Sequence, residues 1–350
     1  MRSKVISCHA PYGQGGMARH FAQVVEEARS DGSLERYYSG APLHGDDRGE
    51  LIDRRRAEAL ANMPPIRFLP AAKLRLVSSL FDRAVATRLI AGVDFHGFSF
   101  ECLHSMRRAR TSGAECLALE DATGHVNHVA RQLRLAERLY GIERGVLSPG
   151  LCRDATCEYA LADVIYVTSR YSWQACVDHG IRPERLRMRT LEVHPRFRRQ
   201  AAPRRHEHFV VVYVGALRVD KGIPVLIEAF TSLPYRDAEL RLVGGWTTHG
   251  MRTYLQRCMA RDRRIRVLPG DPLPHLHDAA VYVHPTFHDG LGLAPLEAMA
   301  CGVPVIVTED TGMKERVSEG VDGFIVPTGD WESIHERLLD MASRGFRDGR

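Results

Sequence analysis

Hydrophobic positions along this chain recur in two rhythms. Residues 4–8 are a short apolar run with β-branched members. Gly13-Gln14-Gly15-Gly16 follows, and then Ala18, Phe21, Val24 and Val25 at helical spacing. That order predicts strand, glycine turn and helix, the opening unit of an α/β fold. Short runs at 92–95, 115–119 and 164–168 predict further strands, with helices over 100–110 and 127–139 between them. Residues 45–90 keep neither period, carrying an arginine run at 54–56 and a proline pair at 64–65. From 209 the alternation sharpens. Strands are predicted at 209–214, 239–243, 265–268, 280–284 and 303–307, and helices at 224–233, 250–260, 295–301, 312–319 and 331–343.

Residues 185–205 separate the two alternating halves with eight arginines, two prolines and one acid. The pattern predicts an α/β protein of two successive Rossmann-like domains of similar design. An N-terminal domain at 1–190 and a C-terminal domain at 208–350 are joined by an Arg-rich linker at 191–207. The length of 350 residues suits two cores, and 44% hydrophobic content excludes a wholly disordered chain. The net charge of +5 is spread along the chain and does not predict a nucleic-acid partner. The eight cysteines form no Cys-x-x-Cys pair, so reduced core residues of a cytoplasmic protein are expected, with no metal. No apolar run reaches the roughly 20 residues of a membrane span, and the N-terminus breaks at Pro11 and Gly13 before a signal peptide could form.

Only four of the 48 basic residues are lysines: Lys4, Lys73, Lys221 and Lys314. Lys221 stands in Gly215-Ala216-Leu217-Arg218-Val219-Asp220-Lys221-Gly222-Ile223-Pro224, where a buried strand ends and a helix is expected near Pro224. A helix start favours anions through its exposed N–H groups and dipole, and Arg218 with Lys221 would complete a diphosphate site. Two solvated surface cations are the plainer alternative. The second signal is His288-Asp289-Gly290-Leu291-Gly292-Leu293-Ala294-Pro295-Leu296-Glu297, followed by AMACGVPV. Gly290 and Gly292 would let backbone approach a ligand. A helix starting at Pro295 would put Glu297 in its first turn. Asp289 and Glu297 would then face one pocket at the carboxyl end of the sheet, suited to a hydroxyl-rich ligand. A helix-capping glutamate beside a loop aspartate is the bland alternative.

These segments resemble the donor-binding domain of the family 4 retaining glycosyltransferases, of GT-B fold, which implies two Rossmann-like domains facing each other across a cleft. The resemblance runs over residues 208–340 and includes Thr308-Glu309-Asp310-Thr311-Gly312 and the GFIVPTGD run at 323–330. It implies that Arg218 and Lys221 bind the diphosphate of a nucleotide-sugar donor and that Glu297 binds its ribose. It implies that Asp289, with the backbone of Gly290, Leu291, Gly292 and Leu293, holds the donor sugar. The family usually has glutamate at the position of Asp289, which bears on donor identity. Relatives commonly continue with a helix crossing back to the N-terminal domain. This chain stops soon after 331–343, so it is either a short member or a fragment.

The first half matches less closely. Gly13–Gly16 resembles the loop that lies over the donor phosphates, so the Gly15 and Gly16 amides are candidates for stabilising the departing diphosphate. The same residues fit a G-x-G-x-x-A dinucleotide fingerprint, a weak signal because Pro11 intervenes between strand and loop. A strand ending in His96 and a later one ending near Glu120, with His125 beyond, resemble strands that bring histidines near the donor sugar. Glu120, His125 and His96 all stay open as candidates. The stretch 67–90 mixes arginine with leucine and phenylalanine at helical spacing, so it is either a core-packing helix or a peripheral membrane contact. The function expected is retaining, metal-independent transfer of a sugar to a carbohydrate or lipid-linked acceptor. A sugar-nucleotide epimerase and a catalytically weak partner subunit are the rivals. Arg218, Lys221 and the glycine amides would offset leaving-group charge, and no Asp-x-Asp metal motif occurs. Domain closure about the linker would exclude water.

Overall fold

The computed structural model describes residues 2–13, 15–64, 66, 69–143, 147–200 and 208–345. Residues 201–207 of the expected linker, and Arg67 and Phe68 of the amphipathic stretch, lie outside them.

The chain divides into two compact units. The first holds β1 (Lys4–Pro11), α1 (Gly16–Ser30), β2 (Leu34–Ala41), β3 (Gly49–Leu51), α2 (Arg55–Ala61), α3 (Pro70–Ala86), β4 (Asp94–Phe98), α4 (Leu103–Thr111) and β5 (Leu117–Asp121). After α5 (Val126–Tyr140) come α6 (Pro149–Leu161), β6 (Val164–Val167), α7 (Arg170–Asp178) and β7 (Leu186–Met188). The strands form a seven-stranded parallel sheet in the order β3-β2-β1-β4-β5-β6-β7. Parallel sheets are buried on both faces. Ile6 and Cys8 pack on Ala18, Phe21 and Val25 of α1, while Val5, Phe95, Leu117 and Ile165 share a core with Phe81, Val85, Met106 and Tyr159.

The second unit holds β8 (Val210–Val214), α8 (Ile223–Thr231), β9 (Glu239–Val243), α9 (His249–Arg261), β10 (Ile265–Leu268) and α10 (Pro272–Asp278). It continues through β11 (Val281–His284), α11 (Leu293–Ala300), β12 (Val305–Thr308), β13 (Gly323–Val326) and α12 (Trp331–Gly345). Its six parallel strands run β10-β9-β8-β11-β12-β13. Helix α8 is apolar almost all round. Ile223, Val225, Leu226, Ile227, Ala229 and Phe230 are all buried, and Ile334 and Leu338 of α12 join the same core.

Several elements differ from the sequence expectation. β1 runs on through Pro11, whose Cα pairs with Ala41 after a register shift, so Pro11 does not separate the strand from the glycine loop. Proline lacks only the N–H, which a strand end does not need. The helix expected at 312–319 is a four-residue 3-10 turn, Gly312–Glu315. Residues 131–144 belong to the second unit, although the first-unit segment 145–192 separates them from its next segment. Over 67–90, α3 turns Phe81 and Val85 into the core and leaves Leu69, just before it, 53% exposed. No helix of the described residues is long and apolar enough to cross a membrane.

Candidate active site

In both sheets the strand order reverses next to the first strand, and the loops leaving the carboxyl ends at such a reversal form the usual ligand crevice of an open α/β sheet. In the second unit the reversal lies between β8 and β11, so the loops 215–222 and 285–292 meet there. They are laced together. The Phe287 N–H donates to the Asp220 carbonyl at 2.8 Å, and the Thr286 hydroxyl donates to the same carbonyl at 3.3 Å. Gly222 stands at φ +71°, and a Cβ there would lie 1.8 Å from the Pro285 carbonyl oxygen. Only glycine fits both the left-handed conformation and that approach. The loop after β12 joins through the Asp289 N–H on the Asp310 carbonyl (3.3 Å) and the Gly312 N–H on the Asp289 carbonyl (3.2 Å).

The lacing assembles charge. Lys221 Nζ lies 2.9 Å from Asp289 Oδ2 and 3.4 Å from the His288 carbonyl. His284 Nε2, at the end of β11, lies 3.4 Å from the same carboxylate oxygen. Burial alone would raise the Asp289 pKa, but the Lys221 charge and His284 hold it far below the usual carboxylate range. Arg218 Nε lies 2.7 Å from Asp220 Oδ1. Each cation of the expected diphosphate clamp is thus balanced by an acid in its own loops. Lys221 and Asp289 are brought into direct contact. Gly292 caps α11 at φ +89° and would place a Cβ 3.2 Å from His284 Nε2. Because α11 starts at Leu293, two residues before Pro295, Glu297 falls in the second turn and not the first. It is 1% exposed.

Two residues of this arrangement were missed in the sequence. His284 ends a strand that was recognised, but nothing in a strand's period marks its last residue as charged-group partner. Glu143 follows α5 and is 7% exposed. Its Oε2 accepts the Val219 N–H at 2.7 Å, in the middle of the Arg218–Lys221 loop, and its Oε1 accepts from the Thr248 hydroxyl that caps α9. No local pattern could announce a partner 76 residues away.

In the first unit, the carboxyl ends of β1, β4 and β5 carry the remaining candidates. Gly15 caps α1 at φ +95° with no side-chain cap, and ideal Cβ positions at Gly13, Gly15 and Gly16 meet nothing within 4 Å, so the loop's backbone is open. Glu120 is fully buried. Its carboxylate takes His20 Nε2 at 2.9 Å, His96 Nε2 at 2.8 Å and Arg189 Nε at 2.7 Å, and Arg189 also reaches Glu27. Burial pulls its pKa up, yet the hydrogen bonds from the two histidines hold it well below the usual range. The guanidinium of Arg189 lies over the Tyr166 ring, which also stacks on His96. His125 is 3% exposed, sandwiched between Tyr159 and His179 at ring separations of 4.6 and 4.5 Å. Burial, with a smaller push from His179, lowers its pKa to about 4. Asp121 shapes the turn between them by accepting the Gly124 N–H and the Tyr159 hydroxyl.

Residues 196–345 match the family model described as glycosyl transferases group 1, so the chain carries a glycosyltransferase group 1 domain. Among curated relatives it is 33% identical over 138 residues to the capsular polysaccharide biosynthesis glycosyltransferase CapM of Staphylococcus aureus. That alignment covers 38% of this chain and 36% of the relative. The chain thus spans about a third of the length of the curated relatives it matches. Among solved structures it resembles sucrose-phosphate synthase from Thermosynechococcus elongatus, with a TM-score of 0.71 and 16% identity, covering 99% of this chain and 90% of that one. It also resembles the Anabaena protein HepE in complex with UDP-glucose, with a TM-score of 0.69 and 16% identity, covering 98% and 90%. At such identities the likeness is one of fold: two parallel-sheet α/β domains, as in GT-B glycosyltransferases.

Proposed function

We propose that this chain is a retaining, family 4 glycosyltransferase that moves a sugar from a nucleotide-diphosphate sugar to an acceptor hydroxyl, without a metal, in cell-surface polysaccharide or glycolipid assembly at the cytoplasmic side. The observation that carries the reading is the Arg218, Lys221, Asp289 and His284 arrangement at the β8/β11 reversal, inside the segment that matches glycosyl transferases group 1. A diphosphate entering there would draw Arg218 and Lys221 off Asp220 and Asp289. It would gain two charge-assisted contacts where the leaving-group charge grows as the anomeric C–O bond breaks. Asp289, released from Lys221, would accept hydroxyls of the donor sugar beside the Leu291–Leu293 backbone. Glu297 is assigned to the ribose, and the Gly15 and Gly16 amides to the diphosphate. HepE was solved with UDP-glucose, which makes that donor the first probe.

Peripheral membrane contact through 67–90 belongs to the same reading, since the exposed Leu69 leads into α3 beside Lys73 and Arg75. Co-sedimentation with phosphatidylglycerol vesicles should be lost in Leu69→Asp, and equal sedimentation of both chains would remove this part of the reading.

The central test is a thermal-shift screen of nucleotide sugars followed by turnover. A donor at 100 times its Kd stabilises the fold by about 2.7 kcal/mol. Lys221→Ala and Glu297→Ala should each lower turnover by about 10²–10³ with the circular dichroism spectrum kept, and EDTA should leave the wild-type rate unchanged. A fully active double variant would refute the reading.

A further inference from the structure

Consecutive residues of a strand point to opposite faces of its sheet. At the carboxyl end of β1 that alternation fails. The pairing of β1 with β2 shifts register between Cys8 and Pro11, and such an irregularity re-aims side chains. Cys8 and His9, neighbours in sequence, both bring a ligand atom to one carboxylate, that of Glu101. The three atoms, one from each residue, all lie within 4.8 Å of one another. Glu101 is 92 positions from His9, so no spacing in the sequence announces the cluster, and the sequence pattern predicts no metal.

The cluster is held rigidly. Glu101 is 5% exposed and follows Phe100, which has a left-handed backbone at φ +77°. A bulky residue keeps that conformation only where its surroundings impose it. The buried Glu158 carboxylate does so by accepting the N–H groups of Phe100 and Cys102 at 2.7 and 2.9 Å. Glu101 Oε1 accepts the His9 backbone N–H at 2.8 Å, and its Oε2 pairs with His9 Nδ1. The fully buried Cys8 thiol bonds to the same carboxylate. Arg54 donates to the His9 carbonyl at 3.2 Å. Gly40 leaves room for that contact, since a Cβ there would lie 2.4 Å from the carbonyl oxygen and 3.0 Å from Arg54 Nε. Ligands oriented by a surrounding shell of hydrogen bonds are what a protein metal site needs.

We propose that Cys8, His9 and Glu101 form a binding site for one Zn²⁺ ion, with water at the fourth position. A thiolate, an imidazole and a carboxylate together select a borderline-soft divalent ion over Mg²⁺ or Ca²⁺. Bonds of about 2.3 Å to sulfur and about 2.0–2.2 Å to nitrogen and oxygen set tetrahedral ligand atoms about 3.3–3.7 Å apart. The cluster reaches that spacing by opening the His9–Glu101 pair and closing its widest pair by at most about an ångström. The ion replaces the protons that hold the three groups together. The Cys8 thiol gives its proton to solvent, the imidazole keeps its proton on Nε2, and the ion takes the thiolate, Nδ1 and Glu101 Oε2. Thiolate and carboxylate then balance the two charges of the ion where Cys8 and Glu101 have little water. The His9 side chain is 37% exposed, and the ion and its water enter on that side. Occupancy clamps the carboxyl end of β1 to the turn after β4. All three ligands belong to the first unit, and the site is independent of the glycosyl-transfer reading, which routes no step through a metal.

The test uses the full chain, reduced and stripped with EDTA, as wild type, Cys8→Ala, His9→Gln and Glu101→Gln. Calorimetric titration of the wild type with Zn²⁺ should give a site of one ion per chain with a Kd of about 1 μM or tighter. His9→Gln and Glu101→Gln should each weaken it by about 10–100-fold or more, and Cys8→Ala at least as much. Co²⁺ in place of Zn²⁺ reports the ligands by absorption. The wild type should show a sulfur-to-cobalt charge-transfer band and tetrahedral visible bands, and Cys8→Ala should lose the first. Zn²⁺ should raise the Tm of the wild type and leave that of His9→Gln unmoved. If Cys8→Ala does not fold, as judged by circular dichroism, Cys8→Ser replaces it, and His9→Gln, at a partly exposed side chain, decides by itself. A wild type that binds no Zn²⁺ overturns the proposal. So does binding of equal strength in His9→Gln and Cys8→Ala, which assigns the ion to other histidines and cysteines of the surface. A charge-transfer band that survives in Cys8→Ala assigns it to another thiol and overturns the site as well. No measurement here uses a sugar donor, so failure of the transfer reading leaves the outcome untouched.

Discussion

Glu143 offers a sharp test of how the Arg218–Lys221 loop is held. Its carboxylate is nearly buried and carries two hydrogen bonds, from the Val219 N–H at 2.7 Å and from the Thr248 hydroxyl. Val219 is itself 2% exposed, so in Glu143→Ala its N–H loses its acceptor in a place where water has little access. A hydrogen bond to a charged group contributes about 1.5–3 kcal/mol, and a buried unsatisfied donor costs about 1–3 kcal/mol. The two effects overlap, so the expected loss is about 2–4 kcal/mol. That is a sizeable part of the 5–15 kcal/mol typical of a folded domain, but not all of it. For a unit of this size it corresponds to a fall in Tm of about 4–16 °C. Glu143→Gln keeps one carbonyl acceptor and an amide that can donate to Thr248, so it should lose less than half as much. The same loosening should weaken donor binding about tenfold or more, because the loop must be ordered when the donor arrives. Scanning fluorimetry with and without UDP-glucose measures both. A Glu143→Ala protein that melts within a degree of wild type with an undiminished donor shift would refute the reasoning.

Gly222→Ala combines a left-handed φ with a Cβ 1.8 Å from the Pro285 oxygen, so the two laced loops must separate. A stability loss of about 2–4 kcal/mol in urea unfolding is expected, and a loss under about 0.5 kcal/mol would show that the loops part freely. Glu120→Gln leaves Arg189 and two histidines around a neutral group and should cost about 3–5 kcal/mol. Its pH signature follows from direction. A carboxylate held below its unfolded pKa contributes stability that is present above about pH 4.5 and is lost as pH falls toward the folded pKa. Wild-type stability should therefore drop on acidification below about pH 4.5 more steeply than that of Glu120→Gln, as read by urea midpoints across pH. Parallel profiles would dissociate Glu120 from the acid limb.

The legible parts of the chain were those with a strong local period or strong punctuation. β9 and β10 fall at the expected residues, and α8 is announced by Gly222 and Pro224. The poorly legible parts were elements whose burial comes from partners distant in sequence. β2, with the sequence LERYYSGA, shows no clean alternation because Tyr37, Tyr38 and Ser39 are all buried in succession. α6 hides its role in the same way, with Gly150, Leu151, Ala155 and Glu158 inside. Residues 45–90, unreadable by period, contain β3, α2 and α3.

The sequence by itself determined the α/β alternation, the glycines that only a tight loop would need, and the placing of Arg218, Lys221 and Asp289 on loops after strands. Those are consequences of neighbouring residues, which spacing records. The tertiary structure alone decided which charges meet. It put Lys221 and His284 on Asp289, drew Glu143 onto Val219, closed Glu120 inside two histidines and an arginine, and aimed Glu101 at His9 through a strained turn. The reason is physical. Periodicity reports which face of an element is buried, whereas an ion pair or a hydrogen bond between residues 68 to 100 positions apart, such as Lys221–Asp289 and His20–Glu120, depends on strand order and on how loops cross at the carboxyl ends of a sheet.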